Sequence, residues 1–138
     1  MLNRLNTDYY KYLGTSFKFN GNSLVDGYDC INLCCAIAKD RNIPMKNINH
    51  SFTNIDNYHS LFSERESNEW KSVTENLSDS LVVFKINGKI SHVGYMLDDL
   101  CFIHIMENSK VTVEKITSPQ WERRIVGFYK YLGVSSID

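Results

Sequence analysis

The sequence D-C-I-N-L-C-C-A-I-A-K-D-R, residues 29–41, contains the longest apolar run of the chain. Asp29 is a typical N-cap residue, and it predicts a helix from Cys30 to about Arg41 that ends before Pro44. This helix would be apolar on nearly all its sides, and a helix of that kind is buried among other elements rather than lying on a surface. The rest of the fold must therefore provide surfaces that cover it.

The C-terminal half of the chain predicts a sheet that covers this helix. Asn87-Gly88 is a strong hairpin signal between two runs of β-forming residues, and further turns are predicted at Asp98-Asp99 and Asn108-Ser109. The predicted strands span residues 81–86, 92–97, 101–106, 111–116 and 124–131. Helices followed by an antiparallel meander of about five strands predict an α+β fold, with the buried helix packed on one face of the sheet.

The N-terminal half carries weaker patterns. Residues 6–13 predict a short amphipathic helix that ends at Gly14, and residues 15–29 predict an irregular loop rich in Gly, Asn and Ser. In the polar middle segment we expect a helix over residues 55–67 and a short turn at residues 70–73. Helices therefore precede the sheet in the predicted order of elements.

The bulk composition predicts one domain over residues 1–138, with 43% hydrophobic and 22% charged residues. The formal net charge of −1 argues against a nucleic acid partner, because such domains usually carry a basic stripe. The longest apolar run is far shorter than the roughly 18–20 residues that cross a membrane, and so no membrane insertion is expected. The N-terminal segment lacks the pattern of a secretory signal, which predicts synthesis in the cytoplasm.

Cys30 is the candidate nucleophile because it begins the buried helix, where unpaired N–H groups and the helix dipole stabilise a thiolate. A cysteine nucleophile also needs an imidazole that accepts its proton. If the strands joined by the Asp98-Asp99 turn pair so that opposite residue numbers sum to about 197, His92 and His104 lie nearly opposite each other on one face. One imidazole would then contact Cys30 while the other orients it, as in a catalytic triad.

Simpler interpretations of these residues stay open at this point. A cysteine in an apolar helix is usually a small buried residue, and a strand histidine is usually a hydrogen-bonded structural group. A zinc site built from Cys30, Cys34, His92 and His104 is another alternative, although cysteines at this helical spacing lack the usual knuckle context. Three of the four cysteines fall within one short stretch, which is not the framework of a disulfide-rich secreted domain.

Two motifs carry a family resemblance: G-Y-D-C-I-N-L, residues 27–33, and S-H-V-G-Y-M-L-D-D-L-C-F-I-H, residues 91–104. The first is similar to Gly-x-Asp-Cys-Ser-Gly-Leu and the second to His-Val-Gly-Ile-Tyr-Leu…Phe-Ile-His, both signatures of the NlpC family of papain-like cell-wall cysteine peptidases. S-L-V-V-F, residues 80–84, looks like the family's strand before its histidine. W-E-R-R-I-V-G-F-Y-K-Y, residues 121–131, resembles the closing strand of phage-tail members. The resemblance extends over residues 9–131.

The resemblance implies a papain-like fold with Cys30 as nucleophile, His92 as general base and then acid, and His104 as the group that orients His92. The implied reaction is hydrolysis of a peptide or amide bond in the peptidoglycan stem peptide through a thioester, with no cofactor and no metal. The oxyanion would be held by the Cys30 backbone N–H and a donor from the preceding loop. Asp29 would cap the helix and act electrostatically near the site.

The chain departs from the family pattern beside the site. Ile31-Asn32 replace the usual Ser-Gly, and Asn32 is expected to alter how closely helix and sheet approach. Phe17 is the nearest equivalent of a Tyr or Trp that the family often has, and its ring cannot donate a hydrogen bond. If that donor helps to hold the oxyanion, either the activity is reduced or the role passes to Tyr28 or Tyr95.

The closing motif and the lack of a recognisable secretory signal predict a phage or prophage tail-associated protein that reaches the cell wall as part of a particle. Tail or baseplate proteins would then be its partners, beside the peptidoglycan substrate. An effector amidase delivered by a contractile secretion machine is a close variant. The alternative from a different class is a structural tail-assembly protein that keeps the fold while its catalysis is weak or lost.

Overall fold

The computed structural model describes residues 9–45 and 70–132. In chain order they form a 3-10 turn at Tyr10–Tyr12, β1 (Asn22–Ser23), β2 (Gly27–Tyr28), α1 (Cys30–Asp40), β3 (Trp70–Val73), β4 (Ser80–Ile86), β5 (Lys89–Met96), β6 (Cys101–His104), β7 (Thr112–Lys115), α2 (Pro119–Glu122) and β8 (Ile125–Tyr131). None of the helices within these two ranges has the length and apolar character needed to cross a membrane. The α+β class predicted from the sequence is confirmed.

The main sheet has six strands rather than the predicted five, in the order β3-β8-β4-β5-β6-β7. The additional strand is β3, which occupies the position where the sequence predicted a turn. It pairs antiparallel with β8, so that Trp70 lies opposite Tyr131 and Val73 lies opposite Phe128. A strand of this length has little pattern of its own, and its partner lies near the other end of the chain. The turn prediction was wrong because the pairing that defines β3 is not local.

The predicted hairpin at Asn87-Gly88 is confirmed. Asn87 and Gly88 have φ angles of 54° and 80°, and a type I′ turn requires positive values at both positions. The turn joins β4 to β5, which pair from Ile86 and Lys89 beside the turn to Leu81 and Tyr95 at the far end. The strands predicted at residues 101–106 and 111–116 also form, and both are shorter in the structure.

Helix α1 confirms the prediction for residues 30–41 and covers one face of the sheet. The Asp29 side chain accepts a hydrogen bond from the backbone N–H of Asn32 at 2.8 Å, as an N-cap does. The first core cluster joins helix residues to alternate strand residues, among them Ile31, Leu33, Cys34, Ile37, Val93, Tyr95 and Ile103. Complete burial of one such aliphatic side chain contributes about 1.5–3 kcal/mol, so the helix and this sheet face stabilise each other.

The opposite face of the sheet is also buried, by a second core cluster that contains Val82, Phe84, Met96, Phe102 and Trp121. Trp121 comes from the single turn of α2, which begins at Pro119. Pro is favoured in the first turn of a helix because its missing N–H would be unpaired there anyway. The sequence identified Pro119 only as the end of a strand, and the helix that it begins supplies the largest side chain of this cluster.

Two N-terminal predictions need correction. Within the described part of residues 6–13, only the 3-10 turn at Tyr10–Tyr12 forms. The segment predicted as an irregular loop contains the β1–β2 hairpin, in which Asn22 pairs with Tyr28. Gly27 has a φ of 114°, a conformation in which a side chain would be strained, and a Cβ there would lie 2.4 Å from the carbonyl oxygen of Ser16. The helix predicted over residues 55–67 lies outside the described residues.

The register between β5 and β6 differs by one from the predicted register. Tyr95 lies opposite Ile103 and Met96 lies opposite Phe102, so opposite residue numbers sum to 198 rather than 197. By the same register Gly94 faces His104, and a Cβ atom at Gly94 would lie 3.3 Å from the Cβ of His104. Gly94 thus leaves room for the aromatic side chains of β6.

We expect Gly94→Ala to lower the free energy of unfolding by about 1–3 kcal/mol, the usual range for overpacking a buried site. The added Cβ would lie 2.9 Å from Cδ2 of Phe102, which is held on both sides by other buried rings. Urea unfolding of the variant and the wild type measures the difference. The matched control is Gly127→Ala on β8, where the nearest atom is the hydroxyl end of Tyr129 at 3.3 Å. Equal losses in both variants would contradict the proposed crowding at Gly94.

Candidate active site

Cys30 is the first residue of α1, and its side chain belongs to the first core cluster with 7% of its surface exposed. It is a free thiol. The N-terminal position places it beside the unpaired N–H groups and the positive end of the helix dipole, which favour a thiolate. This placement agrees with the helix start predicted for Cys30.

Asp29 acts as a link between α1 and the loop before it. One carboxylate oxygen accepts from Asn32 N at 2.8 Å, and the other accepts from Asn20 N at 3.1 Å. Burial raises the pKa of Asp29, and the backbone hydrogen bonds partly oppose this rise. The contacts give Asp29 the capping role that the sequence predicted.

Asn32, at one of the positions where the chain departs from the family signature, fixes the same loop. Its side-chain amide donates to the carbonyl oxygen of Gly21 at 2.8 Å, and the residue is buried. The loop runs close to the β1–β2 hairpin, because a Cβ at Gly21 would lie only 2.4 Å from the carbonyl oxygen of Gly27. Asn32 therefore contacts the loop before α1, whereas the sequence predicted an effect on how closely helix and sheet approach.

The two predicted histidines are in contact. Nε2 of His92 lies 2.8 Å from Nδ1 of His104, which confirms that the side chains share one face of the sheet. With opposite numbers summing to 198, they are diagonal neighbours rather than an almost opposed pair. His92 is 4% exposed and His104 is 1% exposed. Burial lowers the pKa of both histidines, so each is held neutral at physiological pH.

Glu114 and Trp121 complete this cluster, and sequence reasoning missed both. Oε2 of Glu114 lies 2.8 Å from Nε2 of His104, and the Trp121 indole N–H donates to Oε1 of Glu114 at 2.9 Å. The Glu114 carboxylate opposes the fall in the pKa of His104 that burial causes. Alternation along β7 carried a usable signal, because Glu114 pairs with Phe102 and shares the even-numbered face with both histidines.

The histidine rings pack on the second core cluster. The ring of His92 stacks on Phe84 with centroids 5.4 Å apart, and the ring of Trp121 lies 4.9 Å from that of His104 and 5.7 Å from that of His92. Cys30, in contrast, belongs to the cluster on the face of α1. Cluster membership does not give the separation of Cys30 and His92, and their contact stays a prediction. It would use Nδ1, the ring nitrogen of His92 that does not face His104.

The three aromatic candidates near the site occupy different places. Tyr95 is fully buried on the α1 face, and its hydroxyl donates its single proton to Asp79 at 2.8 Å, so we do not assign it to the oxyanion site. Tyr28 is buried with its ring centroid 5.7 Å from that of Tyr12. Phe17 forms a β-bridge with Tyr28 and is half-buried. Of the three, Phe17 and Tyr28 lie in the segment that leads into Cys30.

The zinc alternative required Cys34 to reach the histidines. Cys34 is fully buried in the first core cluster, and burial raises the pKa of its thiol. Across residues 9–45 and 70–132, no group of three or more His, Cys, Asp and Glu side chains is arranged to hold a metal ion. The observed surroundings of Cys34 are those of a core residue.

We expect the folded protein to lose stability as the pH falls below about 6.5. Because burial lowers the pKa of His92 and His104, the unfolded chain binds protons before the folded chain does. The contribution of the two neutral histidines to the free energy of unfolding is then present above the ordinary histidine pKa. It is lost below that pKa, by up to about 1.4 kcal/mol per pH unit for each histidine. Urea unfolding between about pH 7.5 and 5.5 measures this slope. His92→Gln should flatten the slope, and an unchanged slope would contradict the neutral buried pair.

Solved structures with the same fold include three that share low sequence identity with the chain. A protein described as similar to lipoprotein, of the NLP/P60 family, from Staphylococcus aureus subsp. aureus Mu50 has 15% identity and a TM-score of 0.68 over 96% of this chain and 41% of its own. An NlpC/P60 family protein from Bacillus cereus ATCC 10987 has 20% identity and a TM-score of 0.63 over 96% and 41%. The NlpC/p60 domain of the peptidoglycan hydrolase SagA has 18% identity and a TM-score of 0.59 over 94% and 97%.

The chain thus spans 41% of the length of the Staphylococcus and Bacillus proteins and corresponds to nearly the whole SagA domain. No curated protein gives a significant match. The match to a family model is much longer than either signature motif and extends over residues 10–130, from the 3-10 turn into β8. On this match the chain belongs to the NlpC/P60 family.

Proposed function

We propose that the protein is a cysteine hydrolase that cleaves a peptide or amide bond of the peptidoglycan stem peptide. The observation that carries this proposal is the contact of 2.8 Å between the buried imidazoles of His92 and His104, in a chain that places Cys30 at the start of its main helix. A base held by a second group is what a thiol nucleophile requires. The name of the SagA relative supports the substrate class.

The proposed reaction proceeds through a thioester on Cys30. His92 takes the thiol proton at Nδ1, and the thiolate attacks the scissile carbonyl carbon to form a tetrahedral intermediate. The Cys30 backbone N–H and a donor from the preceding loop stabilise the oxyanion. As the C–N bond breaks, His92 returns its proton to the leaving amine. His92 then takes a proton from water, and the hydroxide attacks the thioester carbon. The C–S bond breaks to release the acid, and His92 returns its proton to the Cys30 sulfur.

The role of the loop is supported by its attachment to the nucleophile helix. Asn20 N and the Gly21 carbonyl oxygen are both held by side chains of the first turn, Asp29 and Asn32 respectively. A donor on such a loop is held at a fixed distance from Cys30, because the hydrogen bonds attach the loop to the helix end that carries Cys30. Preorganised donors of this kind stabilise an oxyanion without reorganising during the reaction.

Association with a phage tail was predicted from the closing motif, and it stays a prediction. The tryptophan of that motif, Trp121, packs on both histidines and donates to Glu114. These contacts account for the tryptophan through the architecture of the site, without a tail partner. Action at the cell wall follows from the proposed substrate, and delivery by a tail or by a secretion machine is not needed to explain any contact described above.

The decisive experiment is digestion of purified peptidoglycan and soluble muropeptides, with products identified by mass spectrometry. We expect new stem-peptide fragments with the wild type and none with Cys30→Ala, because the thiol is the attacking group. Cys35→Ala, five residues further along α1, is the matched control and should cleave as the wild type does. Cleavage by Cys30→Ala would overturn the mechanism.

A protein that keeps the fold only for assembly would cleave nothing, and its Cys30 would react slowly with iodoacetamide. A catalytic Cys30 should alkylate rapidly at neutral pH, since the helix end and the imidazole favour the thiolate. Slow alkylation together with absent cleavage across several wall types would favour the structural alternative.

The two histidines should differ in their effect on the rate. We expect His92→Ala to lower kcat/KM by about 10²–10⁴-fold, the usual contribution of a general base. His104→Ala should cost less, because it removes only the group that orients the base. Both rates are measured at a temperature where circular dichroism shows the variants folded. The reverse ranking would mean that the roles of the two residues are exchanged.

A further inference from the structure

We propose that Glu114 is a positioning residue that fixes the tautomers of both histidines, so that His92 presents an unprotonated Nδ1 to the thiol. This inference rests on the proposed function for its catalytic consequence. Its structural content, the location of two imidazole protons, does not depend on any activity. The juxtaposition that carries it is the line of contacts His92 to His104 to Glu114 to Trp121.

The tautomers follow from the donors and acceptors along this line. The Glu114 carboxylate has only acceptor atoms, so the proton between it and His104 must be carried by Nε2 of His104. A neutral imidazole has a single N–H, and Nδ1 of His104 is therefore an acceptor. Nε2 of His92, 2.8 Å away, must then be the donor, which leaves the lone pair of His92 on Nδ1. A base that accepts the proton of Cys30 needs that lone pair.

Trp121 holds Glu114 in the position that this arrangement requires. Its indole N–H occupies Oε1 of Glu114 and leaves Oε2 for His104. The Trp121 ring also packs against both imidazoles and is itself buried. Glu114 has 28% of its side chain exposed, and its two carboxylate oxygens contact Trp121 and His104.

The same carboxylate would stabilise the charge that appears when His92 accepts a proton. Among the described residues, the titratable groups in contact with His104 are His92 from β5 and Glu114 from β7. Arg124 lies over the ring of Trp121, with its guanidinium carbon 6.0 Å from the ring centroid. The same ring packs against both histidines. An imidazolium at His92 then has a negative group two hydrogen bonds away, in surroundings that otherwise disfavour charge.

The first test is a measurement on the wild type: long-range ¹⁵N–¹H correlation spectra of the imidazole rings. We expect both His92 and His104 to carry their proton on Nε2. A proton on Nδ1 of either neutral ring would overturn the inference, whatever the protein catalyses. This measurement needs no variant, so the inference stays testable even if a substitution at Glu114 prevents folding.

The second test compares Glu114→Ala with Glu107→Ala, a matched change at an exposed glutamate between β6 and β7. In Glu114→Ala we expect loss of the fixed tautomer and a fall in kcat/KM of roughly 10–100-fold, the range for groups that orient a functional imidazole. The midpoint of the pH profile for alkylation of Cys30 by iodoacetamide should move to higher pH, because the imidazolium–thiolate pair loses its negative neighbour. Glu107→Ala should match the wild type in all three measurements.

The outcomes separate this inference from the proposed function. If the wild type cleaves no peptidoglycan but the tautomers depend on Glu114, the function fails and the positioning role stands. If the wild type cleaves and Glu114→Ala retains its tautomers, rate and alkylation profile, the function stands and the positioning role is wrong.

Discussion

Burial of both faces of the sheet is the constraint on which the rest of this structure depends. Helix α1 covers the face that carries Val93 and Tyr95, and the short helix α2 covers the other with Trp121. Because water is excluded from both faces, a polar side chain placed there must find its partners within the protein. The histidines obey this requirement by bonding to each other and to Glu114.

The buried line of hydrogen bonds has a direction. It begins at His92 inside the sheet and ends at a carboxylate that is partly exposed to solvent. A fully buried carboxylate would have lost its hydration, whereas an exposed one would have held His104 weakly. The position of Glu114 on the edge strand β7 lies between these limits. A hydrogen bond inside the protein is stronger than one in water, so a few such contacts are enough to fix the rings.

Local signals in the sequence predicted α1 and the β4–β5 hairpin, because a cap residue and a two-residue turn act within a few positions. The histidine contact was predicted from the position of one turn, and the predicted register of β5 and β6 was wrong by one residue. Parity also held information that was not used: Tyr95 is odd-numbered and so lies on the face opposite the histidines. Strand β3 and the packing of Trp121 on the histidines depend on contacts between distant segments, which no local pattern encodes.

The order of strands has a consequence for how the protein is made. Strand β8 lies between β3 and β4, although it is the last of the described strands along the chain. A nascent chain that has not yet reached residue 121 already holds the thiol and both imidazoles. It lacks the indole that packs on the imidazoles and the strand that joins β3 to the sheet. Because non-local pairing waits for its partner, the histidine pair is shielded from water only after residue 121 has been made. The site thus matures as a product of the completed sheet.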